Sequence, residues 1–214
     1  MSQFLLDVSV NIFEVVAIIV LMLTTFRFSL KGYLTHALIA GTVMAQSSYL
    51  LRFVFHLDSV TPLVMLIWFI IFAWLVFRIQ LFYALLMVVT SYLSYLTIQA
   101  VIILLLQIGY SMDEITGSLV NVKLIQVAGS IITICFAIWL SKKRIGFSFV
   151  PDRSVKVVLK GVNLLLLAIC IVACLFISGV AYIFINYNFL YSTLSTFLFL
   201  SFILLVFLAF RKEL

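Results

Sequence analysis

The sequence predicts an all-α integral membrane protein, a bundle of about seven transmembrane helices. Its 214 residues are 66% hydrophobic and only 9% charged, and their mean hydropathy is +1.37. Soluble domains carry roughly a quarter charged residues, so this composition excludes a soluble domain. The apolar runs approach or exceed the ~20 residues that a helix needs to cross a bilayer. We therefore expect one transmembrane domain, 1-214.

Short polar stretches divide the chain into seven apolar segments. The third segment is short, at about fifteen residues, and the count falls to six helices if it is re-entrant. The predicted helices span about 4-26, 33-55, 63-77, 81-106, 120-140, 162-184 and 189-210.

The first three segments begin at identifiable signals. The first has no basic region before it and carries Asp7, so it is predicted to be a retained helix and not a cleaved signal peptide. The second follows Gly32 and has small residues every four positions, which let another helix approach closely. Pro62 suits the first turn of the third helix.

The later segments are bounded by polar stretches. A minimal turn, Arg78-Ile79-Gln80, precedes the fourth segment, and a polar stretch from Gly109 to Ser118 precedes the fifth. The longest polar interruption, Ser141 to Gly161, precedes the sixth. The turn Asn186-Tyr187-Asn188 precedes the seventh.

The loop from Ser141 to Gly161 orients the chain. Lys/Arg-rich loops between membrane helices stay on the cytoplasmic side. With seven segments, this side holds eleven Lys/Arg and the other side two, which predicts an outside N-terminus and a cytoplasmic C-terminus. We expect this loop to contact a cytoplasmic partner or anionic lipid headgroups. Its basic residues are Lys142, Lys143, Arg144, Arg153, Lys156 and Lys160.

No catalytic, metal or nucleotide motif is visible in the sequence, so we predict no enzyme activity, no cofactor, no metal and no nucleic-acid partner. The cysteines lie within apolar runs. Cys170 and Cys174 share a helix face, which permits a metal or redox pair, but packing is the favoured interpretation.

Glu14 is the most informative single residue, because it lies about ten residues into the first helix. A charge near the bilayer centre costs at least ~2.5–3.5 kcal/mol, so such a residue normally faces protein or water. It is either a ligand-contacting or proton-linked site, or a carboxyl that ties helices together. Its nearest basic candidates are Arg52 and Lys123.

Arg52, His56 and Asp58 form a second cluster at the outer end of the second segment. The arginine either snorkels and pairs with a nearby carboxylate, or it lines an outward-facing pocket with Asp113 and Glu114 on the rim.

The fourth segment is polar for a membrane helix. Ser91, Tyr95 and Gln99 share one face at i, i+4 and i+8. Such residues either hydrogen-bond across helices or line an outward-opening cavity, which Tyr191 of the seventh segment could face. A cavity of hydroxyls and aromatics suits an amphipathic molecule or peptide better than a hard metal ion.

Two stretches carry a resemblance to a known family. They are Ser48-Tyr49-Leu50-Leu51-Arg52-Phe53, continued by His56-Leu57-Asp58-Ser59 and Pro62, and Arg144-Ile145-Gly146-Phe147-Ser148-Phe149-Val150-Pro151. They resemble the membrane sensor region of AgrC-like, GHKL-type histidine kinases of Firmicutes, which detect secreted peptides. The chain is expected to lack the phosphoacceptor helix and nucleotide-binding domain of that family, because it ends at Leu214.

Three functions remain open. The first is a membrane sensor that resembles the sensor region of a histidine kinase, binds a secreted peptide and signals through a cytoplasmic kinase or other output protein. The second is a small transporter or the substrate-binding subunit of an uptake system, and the third is a membrane assembly partner without a ligand. The resemblance implies the plasma membrane of a Gram-positive bacterium as its location. Membrane lipids are expected partners, and a homodimer is possible.

The charge distribution makes a direct prediction about sidedness. An N-terminal tag should react with a membrane-impermeant reagent in whole cells, and a C-terminal tag should react only after lysis, because the Lys/Arg excess holds its side in the cytoplasm. Labelling of the two tags in the reverse order would contradict the seven-pass path.

Overall fold

The computed structural model describes residues 2–30, 32–57, 60–111, 114–115, 117–150, 160–186, 199–200, 202–207 and 209–210. In these ranges the regular structure is helical and contains no strand. The helices are α1 Ser2–Thr25, α2 Leu34–Tyr49, α3 Thr61–Phe77, α4 Leu81–Leu106, α5 Leu119–Lys143 and α6 Val162–Asn186. A π-helical turn, Leu50–Val54, continues α2, and residues 202–207 are also helical.

Four stretches are long and apolar enough to cross a membrane: Phe4–Thr25, Leu34–Val54, Leu81–Leu106 and Leu119–Lys143. This confirms the predicted helical membrane protein at that level. The count of seven helices and their sidedness stay predictions, and most of the predicted segment 189–210 lies outside the described residues. Two shorter apolar helices, Thr61–Val76 and Val162–Ile177, are also present among the described residues.

Helix α1 contacts α2, α4 and α5. Its C-terminal half is apolar and largely buried, with Ile18, Ile19 and Met22 each 1–2% exposed. It runs antiparallel to α2, because Phe4 packs on Tyr49 while Gly41 packs on Ile12.

The small-residue stripe of α2 is used inside the chain. Ala37 and Ala45 are 1% and 0% exposed, and a Cβ added at Gly41 would lie 3.3 Å from Ile12. The stripe thus lets α1 and α2 approach closely, as small residues do in membrane helix pairs. The predicted close approach is present, and its partner is α1 of the same chain.

Helix α5 continues three residues beyond its predicted end. Lys142 and Lys143 form its last turn, and Arg144 caps it in the left-handed conformation, with φ +54°. Basic side chains in a last turn complement the helix dipole, and long ones extend toward the membrane surface. These residues, predicted to lie in a loop, are therefore held on a helix end and are exposed.

The segment after α5 docks on the C-terminal end of α1. The backbone N–H of Phe147 donates to the Thr25 carbonyl at 2.7 Å. A Cβ added at Gly146 would lie 2.6 Å from that oxygen, so only glycine permits this approach. The ring of Phe147 packs against Phe26, Phe149 and Phe210. This contact satisfies a helix-end carbonyl that has no partner within the helix.

Gly146→Ala should lower the thermal stability of the protein in detergent, because the added methyl group meets backbone rather than a movable side chain. Overpacking of this kind costs typically about 1–3 kcal/mol. Gly109→Ala is the matched control, since nothing lies within 4 Å of a Cβ there. Equal melting temperatures for the two variants would contradict the docking.

Candidate functional site

Polar residues form a stripe on the N-terminal half of α1. Asp7, Asn11 and Glu14 are spaced i, i+4 and i+7, which places them on one face of a helix. Asp7 and Asn11 are only 3% and 8% exposed. An apolar bundle holds such groups only when they are paired or solvated, so their partners define the site.

Asp7 forms a buried ion pair with Lys123 of α5. The lysine Nζ lies 2.6 Å from Asp7 Oδ1. The Asp7 side chain is 4% exposed and the Lys123 side chain 9%. Lys123 also donates to Asn11 Oδ1 at 3.5 Å. The second oxygen of Asp7 is buried and has no partner among the described residues. The ion pair holds the N-terminal ends of α1 and α5 together.

Glu14 lies one turn deeper, on a small cleft. The cleft has about 60 Å³ of water-accessible volume, which admits a few water molecules or one small polar group. Four of the helices contribute to its wall. The lining residues are Asn11, Glu14, Val15, Ile18, Ser48, Arg52, Pro62, Met65, Phe69 and Tyr92.

Arg52 enters the cleft from the π-helical turn that ends α2. Long side chains in a helix point back toward its N-terminus. Because α1 and α2 run in opposite directions, the side chains of Glu14 and Arg52 therefore point toward each other. They interact electrostatically, but no ion pair within 4 Å joins them in the described part of the chain.

Tyr95 connects the site to α5. Its hydroxyl accepts a hydrogen bond from Gln99 Nε2 at 2.6 Å and lies 3.4 Å from the Ser130 hydroxyl. It also interacts with the Glu14 carboxyl. The phenol ring is fully buried, so its hydroxyl is a fixed polar group at the junction of α1, α4 and α5.

The hydroxyl groups of α4 are not equivalent. Ser91 donates to the Met87 carbonyl at 2.8 Å, and Thr90 donates to the Leu86 carbonyl at 2.7 Å. Such bonds to the carbonyl four residues earlier satisfy the hydroxyl within its own helix. Tyr95 and Gln99, by contrast, are long enough to reach the neighbouring helices. Gln99 packs beside Gly129, where a Cβ would lie 3.1 Å away.

The structure brings together some of the predicted ligand residues. Glu14 and Arg52 share the cleft, Tyr95 interacts with Glu14, and Gln99 is hydrogen-bonded to Tyr95. Ser91 is buried, and its hydroxyl is satisfied by its own helix. Asp58, Asp113 and Tyr191 lie outside the described residues.

The remaining predicted site residues lie away from the cleft. Glu114 is exposed and forms a reciprocal pair with Ser111, whose backbone N–H donates to its carboxylate at 2.9 Å. That hydrogen bond lowers the pKa of Glu114 below its ordinary value. Lys142, Lys143, Arg144 and Lys160 are all exposed. Arg153 and Lys156 fall in the undescribed range 151–159.

Several site residues were missed in the sequence. The face shared by Asp7, Asn11 and Glu14 is visible as spacing, and could have identified Asn11. The charge distribution in the sequence placed Lys123 at the same end of the bundle as Asp7 but did not show that the two residues form a pair. Within the described residues, no group of three His, Cys, Asp or Glu side chains is placed to hold a metal ion.

Comparison with known proteins returns no significant match to a family model, a curated protein or a solved structure. The function is therefore inferred from the site itself, a polar cleft beside the N-terminal half of α1 in an apolar helix bundle.

Breaking the buried ion pair should destabilise the protein. Lys123→Met leaves Asp7 buried without its cation, and losing one partner of such a pair costs roughly 3–5 kcal/mol. The double variant Asp7→Asn with Lys123→Met should recover most of that loss. Lys142→Met is the control, because Lys142 is an exposed lysine on the same helix. Thermal unfolding in detergent compares these three variants with the Asp7→Asn single variant and the unmodified protein, and simple additivity of the Asp7→Asn and Lys123→Met changes would contradict the pairing.

Proposed function

We propose that the protein is a polytopic membrane sensor or receptor whose outer cleft binds a signal from outside the cell. One observation carries the proposal. Two side chains of opposite charge, Glu14 and Arg52, converge on a water-sized cleft without forming an ion pair with each other. Ionisable groups within membrane domains typically pair with one another or mark a ligand or ion pathway. The cleft gives these two groups access to a ligand.

The apolar residues of α1 below Glu14 favour a cleft that binds a ligand over a channel that lets it pass through the bundle. From Val15 to Leu23, α1 contains only apolar residues, and most of them are buried. An apolar layer of this kind does not solvate a polar solute. A ligand that reached Glu14 would therefore stop there, as a receptor requires.

A route for the signal runs along α1. The helix carries Asp7, Asn11 and Glu14 on its outer half, and its inner end is bonded to Phe147 of the segment after α5. That segment directly follows the exposed basic turn of α5. The output partner, a kinase or another cytoplasmic protein, would contact the basic residues at this end. The resemblance to peptide-sensing histidine kinases favours a secreted peptide as the signal and a bacterial plasma membrane as the location.

A transporter is the second candidate, and one observation favours it. The Asp7–Lys123 pair and Glu14 place two carboxyl groups and a lysine inside the bundle. Chains of such groups carry protons or ions in membrane transporters. This function requires a second conformation in which the apolar layer below Glu14 opens.

The sensor proposal is tested with the full chain and peptide fractions from the culture medium of the organism that encodes it. At least one fraction should raise the melting temperature by about 5 °C at a saturating concentration, because a ligand bound only by the folded state stabilises it. Glu14→Gln and Arg52→Gln should abolish that shift. Lys142→Gln, which removes an exposed charge at the opposite end of α5, should retain it.

The outcomes separate the candidates. The same fractions are offered to proteoliposomes that contain the protein, and a sensor binds without accumulating solute inside. Solute accumulation that depends on Glu14 would replace the sensor with the transporter. The absence of both a shift and uptake would leave the polar residues as contacts between helices and overturn the proposal.

A further inference from the structure

The charges that line the cleft balance one another. Asp7 and Lys123 already form an ion pair at 2.6 Å, so Lys123 is committed to Asp7. The Glu14 carboxyl group and the Arg52 guanidinium remain on the same cleft without an ion pair between them. In a low-dielectric bundle a buried charge is costly unless an opposite charge pairs with it, and a ligand with one cationic and one anionic group can pair with both side chains. The cleft therefore favours a ligand whose own charges sum to zero.

The positions of Arg52 and Glu14 along the helices determine which end of a ligand each side chain would bind. Arg52 lies near the outer end of α2, whereas Glu14 lies a little more than three turns into α1. A ligand that enters from the outer end would place its cationic group on Glu14. Its anionic group would stay on Arg52, whose guanidinium binds carboxylates and phosphates through paired hydrogen bonds.

The rest of the lining fits a short ligand. Asn11, Ser48 and Tyr92 supply polar groups, while Met65 and Phe69 supply an apolar wall. The volume of about 60 Å³ is far below that of a drug-sized pocket. It accommodates a compact charged group with a short carbon stem rather than a large organic molecule.

We propose that the cleft between Glu14 and Arg52 binds a small zwitterion, with its ammonium group on Glu14 and its carboxylate or phosphate on Arg52. This inference rests on the proposed function, because it assigns a class of ligand to the same site. Two sources present this chemistry: a free amino acid outside the cell and the ethanolamine headgroup of a membrane lipid.

The first arm of the test measures free zwitterions. The full chain is placed in phosphatidylglycerol nanodiscs and titrated calorimetrically with glycine, L-alanine and γ-aminobutyrate. Acetate and glycine methyl ester each carry only one of the two charges. They should bind at least thirty-fold more weakly, since losing one partner of a buried charge pair costs about 2–5 kcal/mol. Glu14→Gln and Arg52→Gln should each weaken zwitterion binding, and Arg78→Gln, which removes an exposed charge outside the cleft, should not.

The second arm measures the lipid source. Nanodiscs that contain phosphatidylethanolamine, phosphatidylcholine or only phosphatidylglycerol are compared by native mass spectrometry, which counts lipids retained by the protein. A lipid ligand predicts selective retention of phosphatidylethanolamine that is lost in both cleft variants. Phosphatidylcholine controls for headgroup charge, because its quaternary ammonium cannot donate hydrogen bonds to Glu14.

The results distinguish this inference from the proposed function. Binding of a zwitterion in either arm, lost in both variants, supports it. Equal binding of a singly charged probe overturns it, as does the absence of any zwitterion binding. If culture fractions still stabilise the protein and need only one of the two charged residues, the sensor proposal stands and the zwitterion is excluded. If neither zwitterions nor culture fractions bind, both are overturned.

Discussion

The cost of burying charge in an apolar bundle determines where α1 lies. A helix with Asp7, Asn11 and Glu14 on one face cannot turn that face to lipid, because each unpaired group would lose its hydration without compensation. The stripe is instead placed against the helices that supply Lys123, Tyr95 and Arg52. The packing of α1 against α2, α4 and α5 meets this requirement.

The need to satisfy buried polar groups also explains which polar side chains of α4 contact the site and which bond within their own helix. Serine and threonine hydroxyls on α4 are too short to cross to another helix, so they bond to their own backbone. Tyr95 and Gln99 hold their polar atoms farther from the helix axis and contact each other and Ser130. Sequence periodicity places Ser91 with Tyr95 and Gln99, but side-chain length separates their roles.

Hydropathy and charge could predict the helical membrane class and the two charged residues of the cleft. Glu14 was identified by its depth in an apolar run, and Arg52 by its position at a segment end. The Asp7–Lys123 pair could not be predicted, because the two residues are far apart in the chain and no pattern says that α1 and α5 are neighbours. Likewise, the stripe at Gly41 indicates close packing, but only the structure shows that Ile12 is its partner.

The docking of Gly146 and Phe147 on the end of α1 has a mechanical consequence. Helix α1 is attached near its N-terminal end to α5 through Asp7, and at its C-terminal end to the segment that follows α5 through the Thr25 carbonyl. An axial displacement of α1 relative to α5 must therefore break one of these two attachments. A displacement that keeps both must carry α5 and the segment after it along with α1.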